Sequence, residues 1–441
     1  MAATLHAATP PPPALKPRLS AMMFLQYAIW GAWLPILYPF LMGHRGFTLD
    51  QTGMVLAAGA VGAILGPFIA GQVADRWFST EKFLGLSHLA GAVLVWALAA
   101  TGDFTLFLWL SLLYGLIYAP TLALTNALAF HHLEDRDRDF GPVRLWGTIG
   151  WIVAGIGVGQ WLLMHHTPAE GTAGMIAAAQ DAGRADAFKL SAVLGALMGV
   201  FCFTLPHTPP AKGEGKSNAT FEALGEVKKQ PLLMLFLLAV PISVIHQFYF
   251  VHTSQFLSEL QRGSEGAEAF AASVNRIFGV GGGGLMTVGQ MTEIAVLGLI
   301  PLVAKSWSRK TLLAIGILAY AARMALFAYT DHIGLVILGV ALHGLCFGCF
   351  IFVAFMVVDE ETTADVRASA QNLFNLVIIG IGIIVGSWFA TSVVGSWAAN
   401  ADGSTDYTKL FSVPMWMSVA CLALLLAFYP KQGRHERVEA A

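Results

Sequence analysis

Two side chains in one apolar stretch are placed to do chemistry. The run Gly289-Gln290-Met291-Thr292-Glu293-Ile294-Ala295-Val296-Leu297 lies in a segment of about 20 residues, long enough to cross a bilayer. Glu293 sits near its middle. A carboxyl there is costly and normally faces a bundle interior or a watery path. Gln290 comes three residues earlier, so both side chains share one helical face. An amide and a carboxyl on one face can hold a polar solute, and the carboxyl can carry a proton. The competing reading is a polar pair that joins helices.

Other apolar stretches carry groups that fit the same task. Arg144, Thr148 and Trp151 fall on one face of a helix over 142–164. Arg144 can equally snorkel to the interface, and Thr148 can bond back to its own helix. The segment 232–258 holds His246, Gln247, Tyr249, Phe250 and His252, more polar groups than lipid tolerates. His343 and Phe347 lie one turn apart in 333–358. Histidine titrates near neutrality, which makes His343 a reserve proton carrier behind Glu293; a structural hydrogen-bond role is the alternative. Gln26, Trp30 and Trp33 recur on one face of 20–42, where rings either fill the core or stack on a flat ligand. Arg323, in 311–329, reads as a packing or interface group. Amides and a carboxyl suit hydroxyls and ring nitrogens, and aromatics suit a ring face. A nucleoside fits this set, and so does a sugar.

These stretches belong to a membrane chain. Of its 441 residues, 56% are hydrophobic and 12% charged, against about 25% charged in soluble domains. The net charge of −2 gives nucleic acid nothing to bind. Cys346 and Cys349 have redox or zinc spacing, but inside a spanning helix they read as small packing groups. No metal site or cofactor is expected. No nucleophile–base pair or phosphate loop stands out, which argues against an enzyme.

Twelve apolar segments are expected, at 20–42, 51–73, 82–101, 105–133, 142–164, 188–206, 232–258, 283–304, 311–329, 333–358, 368–394 and 410–429. Six basic residues, Arg45, Arg184, Lys189, Arg262, Arg276 and Lys409, fall in the loops on one side. Apart from Arg144 and Arg323, the rest fall on the side that bears both chain ends. Positive charge marks the cytoplasmic side, so both termini are expected inside. The expected parts are a disordered leader without a cleavable signal over 1–19, a six-helix half over 20–206, and a cytoplasmic linker over 207–231. A second six-helix half over 232–430 and a cytoplasmic tail over 431–441 follow.

The halves resemble each other. Val73-Ala74-Asp75-Arg76-Trp77 follows the second segment as Val303-Ala304-Lys305-Ser306-Trp307 follows the eighth. Pro142-Val143-Arg144 opens the fifth as Asp365-Val366-Arg367 opens the eleventh. Duplicated halves about a central path are the architecture of alternating-access carriers. Gly71-x-x-x-Asp75-Arg76 resembles the loop signature of the major facilitator superfamily. Asp75 and Arg76 there are expected to latch a gate, with solvated turn charges as the plainer reading.

Four blocks carry a closer resemblance. They are Phe24-Leu25-Gln26-Tyr27-Ala28-Ile29-Trp30-Gly31-Ala32-Trp33-Leu34, Pro142-Val143-Arg144-Leu145-Trp146-Gly147-Thr148-Ile149-Gly150, Gln290-Met291-Thr292-Glu293 and Val366-Arg367-Ala368-Ser369-Ala370-Gln371. With Thr204-Leu205-Pro206-His207 after the sixth segment, they resemble the bacterial nucleoside:proton symporter family of the major facilitator superfamily. The resemblance implies an all-α membrane protein of twelve transmembrane helices in two six-helix halves. It implies nucleoside import by proton symport through alternating access, as a monomer in a bacterial inner membrane. By the same resemblance Arg144, Thr148, Gln247, Gln290, Glu293 and Phe347 are expected at the nucleoside site; Trp30 and His343 join them from the residue reading. The chain departs from the family at His343, Gly348 and Phe250, where nucleoside permeases have Tyr, Asp and Asn. Without the Asp, a second possible proton carrier is gone. The alternatives are a carrier of a sugar or modified nucleoside, an uncoupled facilitator included, and a receptor that does not transport.

Overall fold

The computed structural model describes residues 14–73, 79–209, 225–263, 269–363 and 366–430. Asp75 and Arg76, most of the 207–231 linker and the 431–441 tail lie outside the described residues. The long helices are α1 Leu15–His44, α2 Leu49–Val73, α3 Thr80–Ala100, α4 Phe104–His132, α5 Arg136–His165 and α6 Ala173–Cys202. They continue as α7 Leu232–Gly263, α8 Gly283–Val303, α9 Arg309–Tyr329, α10 Ile333–Glu361, α11 Ser369–Ala398 and α12 Tyr407–Phe428. Eleven of these are long and apolar enough to span a bilayer. The other, α2, runs 25 residues alongside α4 and α11.

Loop residues start several helices by capping orphan backbone N–H groups. The Asp103 carboxylate accepts from Leu106 N at 2.8 Å, Asp135 from Arg138 N at 3.1 Å, and Ser308 Oγ from Thr311 N at 3.1 Å. The start of α1 lies inside the stretch assigned to a leader, because Lys16 pairs with Asp139 of α5 at 2.8 Å.

One helix pairing occurs twice. In the first half α1 packs on α5, α2 on α4, and α6 on both α3 and α1. In the second, α7 packs on α11, α8 on α10, and α12 on both α9 and α7. This is the arrangement an internal duplication leaves. Buried apolar side chains form two clusters. One draws on residues from Leu19 to Leu205 plus Val280, the other on Leu232 to Tyr429 plus Tyr38. The halves meet where α1 faces α7, α5 faces α8, and α2 faces α11.

Among the described residues, hydrogen bonds between the halves gather at the face away from the chain ends. Gln160 Nε2 donates to the carbonyls of Arg276 and Ile277 at 2.9 and 3.0 Å. Val280 N donates to Gly159 O at 3.1 Å. Arg184 Nη2 donates to Ser258 Oγ at 3.1 Å. Counted with the loop charges in the sequence, Arg184 is in fact fully buried where α6 breaks after Gly183, ion-paired to Asp181. The glycine run before α8 is a packed joint. Gly282 has φ +81°, and a Cβ there would meet Ser254 O at 2.0 Å.

Glycines also set the distance between α8 and α10. A Cβ on Gly344 would sit 2.5 Å from the Thr292 backbone, and one on Gly289 2.9 Å from His343 Cβ. Thr292 Oγ1 ties the same helices by donating to Ala341 O at 2.7 Å. Overpacking such a contact costs about 1–3 kcal/mol. Gly344→Val is therefore expected to lower the melting temperature of the purified protein in detergent. Gly298→Ala, whose Cβ would meet nothing within 4 Å, should melt with the parent.

Candidate functional site

The helix that carries Arg144 and Thr148, α5, packs on α8, which carries Gln290 and Glu293. The Arg144 guanidinium lies over the Tyr27 ring of α1, 4.0 Å from its centroid. A Cβ on Gly147 would meet Tyr27 Cδ2 at 2.6 Å, so the glycine lets that ring lie flat on α5. Arg144 and Glu293 act on each other electrostatically, and both act on Tyr27. Thr148, one turn along α5, is half-buried.

Gln290 is 7% exposed, and its Oε1 has no hydrogen-bond partner. A buried amide oxygen without a donor is unfavourable by about 1–3 kcal/mol. Gln247 behaves differently: its Nε2 donates to Ser387 Oγ of α11 at 3.0 Å, which holds it against its own half.

His343 is buried among aromatic neighbours. Its ring stacks 4.8 Å from Tyr249 and 6.4 Å from Phe347, and lies 6.0 Å from Phe250. His343 Nε2 stands 3.6 Å from Glu293 Oε2. Phe347 is half-buried within a π-helical stretch, Cys346–Phe352. Local π turns inside long helices are frequent at functional sites. Gly348 follows on the side facing α8, where a Cβ would meet Val296 Cγ1 at 2.6 Å.

Trp30 is half-buried against Tyr118 at 5.7 Å and Trp151 at 6.0 Å. The two other polar or aromatic residues of its face have structural work. Gln26 is fully buried; its Nε2 donates to Thr121 Oγ1 and its Oε1 bonds His88 Nε2, both at 2.9 Å. Trp33 packs on Phe188 and Tyr114. His252 is likewise structural, bonded through Nε2 to Ala390 O at 2.9 Å. Two groups near Glu293 and His343 were not counted with the site in the sequence. Tyr27 was hidden within a motif. Arg323, read as a packing or interface group, is fully buried and donates to His343 Nδ1 at 3.2 Å. An arginine well inside a spanning segment was the signal.

The profile of the nucleoside H+ symporter family matches residues 14–434. The chain belongs to that family. It is 32% identical over 438 residues to YegT of Escherichia coli K12, covering 95% of this chain and 94% of that protein. It is 27% identical to the nucleoside permease NupG of the same organism, over 94% of each. The crystal structure of NupG superposes with a TM-score of 0.78 at 25% identity, covering 94% of this chain and 98% of NupG. A D-xylose-proton symporter, at TM-score 0.66 and 14% identity, shares the fold. The symporter is therefore an all-α membrane carrier of the major facilitator type and not an enzyme.

In this symporter the Gln26 network is expected to stabilise the first half without touching solute. Gln26→Leu leaves the His88 ring nitrogen buried without its partner, at a cost of about 1–3 kcal/mol. A lower melting temperature with unchanged nucleoside affinity is the expected result; weaker binding in the folded variant would place Gln26 in the site.

Proposed function

We propose that the nucleoside sits between Arg144 of the first half and Gln290 and Glu293 of the second. Thr148, Gln247 and His343 supply further polar edges, and Trp30 or Phe347 flank the ring. The observation that carries this reading is the unpartnered, buried Gln290 oxygen, three residues from a carboxyl that stands 3.6 Å from His343 Nε2. Nucleoside hydroxyls and ring N–H groups can donate to both. A site built to bond such groups discriminates strongly, because a missing partner leaves a buried polar atom unpaired.

Glu293 is proposed as the proton carrier. As a neutral acid it can donate a hydrogen bond to the solute; as a carboxylate it attracts Arg144 and draws the empty halves together. Alternating access follows if the far-face contacts at Gln160, Val280 and Ser258 open while the other face closes. Asp75 and Arg76 are retained as the proposed latch of that other face.

Proteoliposomes test the carrier. The parent should accumulate a nucleoside against its gradient when acidified outside. Glu293→Gln should abolish accumulation yet still exchange nucleoside, because the amide keeps the shape and much of the bonding. Gln290→Ala should weaken nucleoside binding by about tenfold or more. Accumulation by Glu293→Gln at the parent's level would remove Glu293 from the role. A parent that ignores the proton gradient would favour facilitated diffusion through the same path.

We further infer that both termini are cytoplasmic, in a bacterial inner membrane, from the loop charges. The four native cysteines are buried, so introduced thiols can be read alone. Glu170, exposed in the loop between α5 and α6, should as Glu170→Cys react with an impermeant maleimide added to whole cells. Reaction only after the membrane is opened would invert the orientation.

A further inference from the structure

Arg323 of α9 is a fully buried charge whose place in the site has no ordinary explanation. A guanidinium stays protonated at any working pH, and burying one unpaired is costly. Among the described residues no carboxylate pairs with it directly. Its Cζ lies 4.3 Å from the Tyr249 ring centroid and 5.0 Å from that of Tyr320. Nε and Nη2 have no hydrogen-bond partner. Its one hydrogen bond runs from Nη1 to His343 Nδ1, at 3.2 Å.

That bond fixes more than a contact. A guanidinium can only donate, so His343 Nδ1 must accept with its lone pair. The ring's single proton then sits on Nε2, and Nε2 is the atom that faces Glu293 Oε2 at 3.6 Å. A short swing of the carboxyl closes that gap to a hydrogen bond. Cation, ring and carboxyl form one line from α9 through α10 to α8. Stacking on Tyr249 at 4.8 Å and on His246 at 5.5 Å keeps the ring in that plane. His246 is itself held by Tyr320, Nδ1 to hydroxyl at 2.6 Å.

We propose that Arg323 is a positioning residue for proton coupling: acting through His343, it aims Nε2–H at Glu293 and stabilises the ionised carboxylate, while His343 itself takes no proton. The proposal rests on the reading of Glu293 as the carrier. The other groups around Glu293 and His343 are Arg144 of α5, Tyr27 of α1, Tyr249 and His246 of α7, Tyr320 of α9 and Cys346 of α10. Only Arg144 and Arg323 among them are permanently charged. Glu293 thus lies between one cation that moves away when the halves part and one that travels with it. The second gives the carboxyl a charged partner, at one remove, in every conformation.

The test uses the full chain in proteoliposomes and a nucleoside that the parent accumulates, chosen from adenosine, uridine and xanthosine. Proton-driven uptake is measured from about pH 5 to pH 8, where histidine and a shielded carboxyl both respond. Arg323→Met and His343→Leu remove the line. Their half-maximal uptake should move to higher pH by about one unit, since losing the positive charge behind His343 in one variant, or the Nε2–H donor itself in the other, makes the carboxylate harder to form. Arg323→Lys keeps the charge and should stay near the parent. His343→Gln accepts and donates without titrating, and should also keep the parent's profile. Profiles for Arg323→Met and His343→Leu that differ from the parent only in amplitude would reduce Arg323 to packing and overturn the proposal. Loss of accumulation in a folded His343→Gln would show that His343 carries the proton. If Arg323→Met does not fold, the His343 pair decides alone. If Glu293→Gln still accumulates nucleoside, the carrier reading fails first and this proposal with it; if Glu293→Gln is inactive and the line variants match the parent, only this proposal fails.

Discussion

An ionisable group in the middle of a bilayer has no water to stabilise it, and the rest of this site answers to that fact. Glu293 would be prohibitive on a lipid-facing surface. It is tolerated because the helix that carries it is pressed between two others. On one side α5 offers Arg144, with Tyr27 under the guanidinium. On the other side α10 offers the edge of His343, backed by Arg323. Three separate helices must therefore stay packed around it. A charge that is stable only in such company would also make the company responsive: in the proposed cycle, a change in the protonation of Glu293 alters what holds α8 to α5 and α10.

That packing comes from residues with no chemistry of their own. Gly289 and Gly344 bring α8 and α10 together, and Gly147 lets Tyr27 lie against α5. Thr292 secures the approach with a bond to Ala341 O. Small residues do in the membrane what large apolar ones do in water, because close backbone contact replaces the hydrophobic drive. The far-face joint follows the same rule: Gly159 and Gly279 touch backbone to backbone. Side-chain hydrogen bonds from Gln160 and Arg184 then close that face.

Much of this was legible before any coordinates. Hydropathy marked the spans, and the doubled motifs marked the duplication that the helix pairing repeats. Glu293 and Gln290 stood out because their residue types are rare at such depth. What spacing did not reveal was which neighbour each face would meet. Gln26, Trp30 and Trp33 share one face, yet His88 and Thr121 claim Gln26 while Phe188 and Tyr114 claim Trp33. Periodicity gives the same pattern for a core stripe and a ligand stripe. Arg323 packs as expected, against Tyr249 and Tyr320, but a charge near the middle of a single helix does not announce its hydrogen-bond partner, here His343. Arg184 was misjudged because its position next to a loop concealed a break in α6. Asp75 and Arg76 fall outside the described residues, so their role rests on the motif.

The contact between Gly348 and Val296 reaches into the chain's history and its engineering. The family's nucleoside permeases resemble this chain but have an Asp at the position of Gly348. Here a Cβ at 348 would press on Val296 Cγ1 at 2.6 Å, and a branched side chain on a helix has little freedom to turn aside. An acid placed at Gly348 alone would have to push Val296 aside, and a smaller residue at 296 alone would leave a void between α8 and α10. Neighbours in contact do not change independently, so the two substitutions are expected to be better tolerated together than singly. A designer who wants a second acid here would change both positions at once.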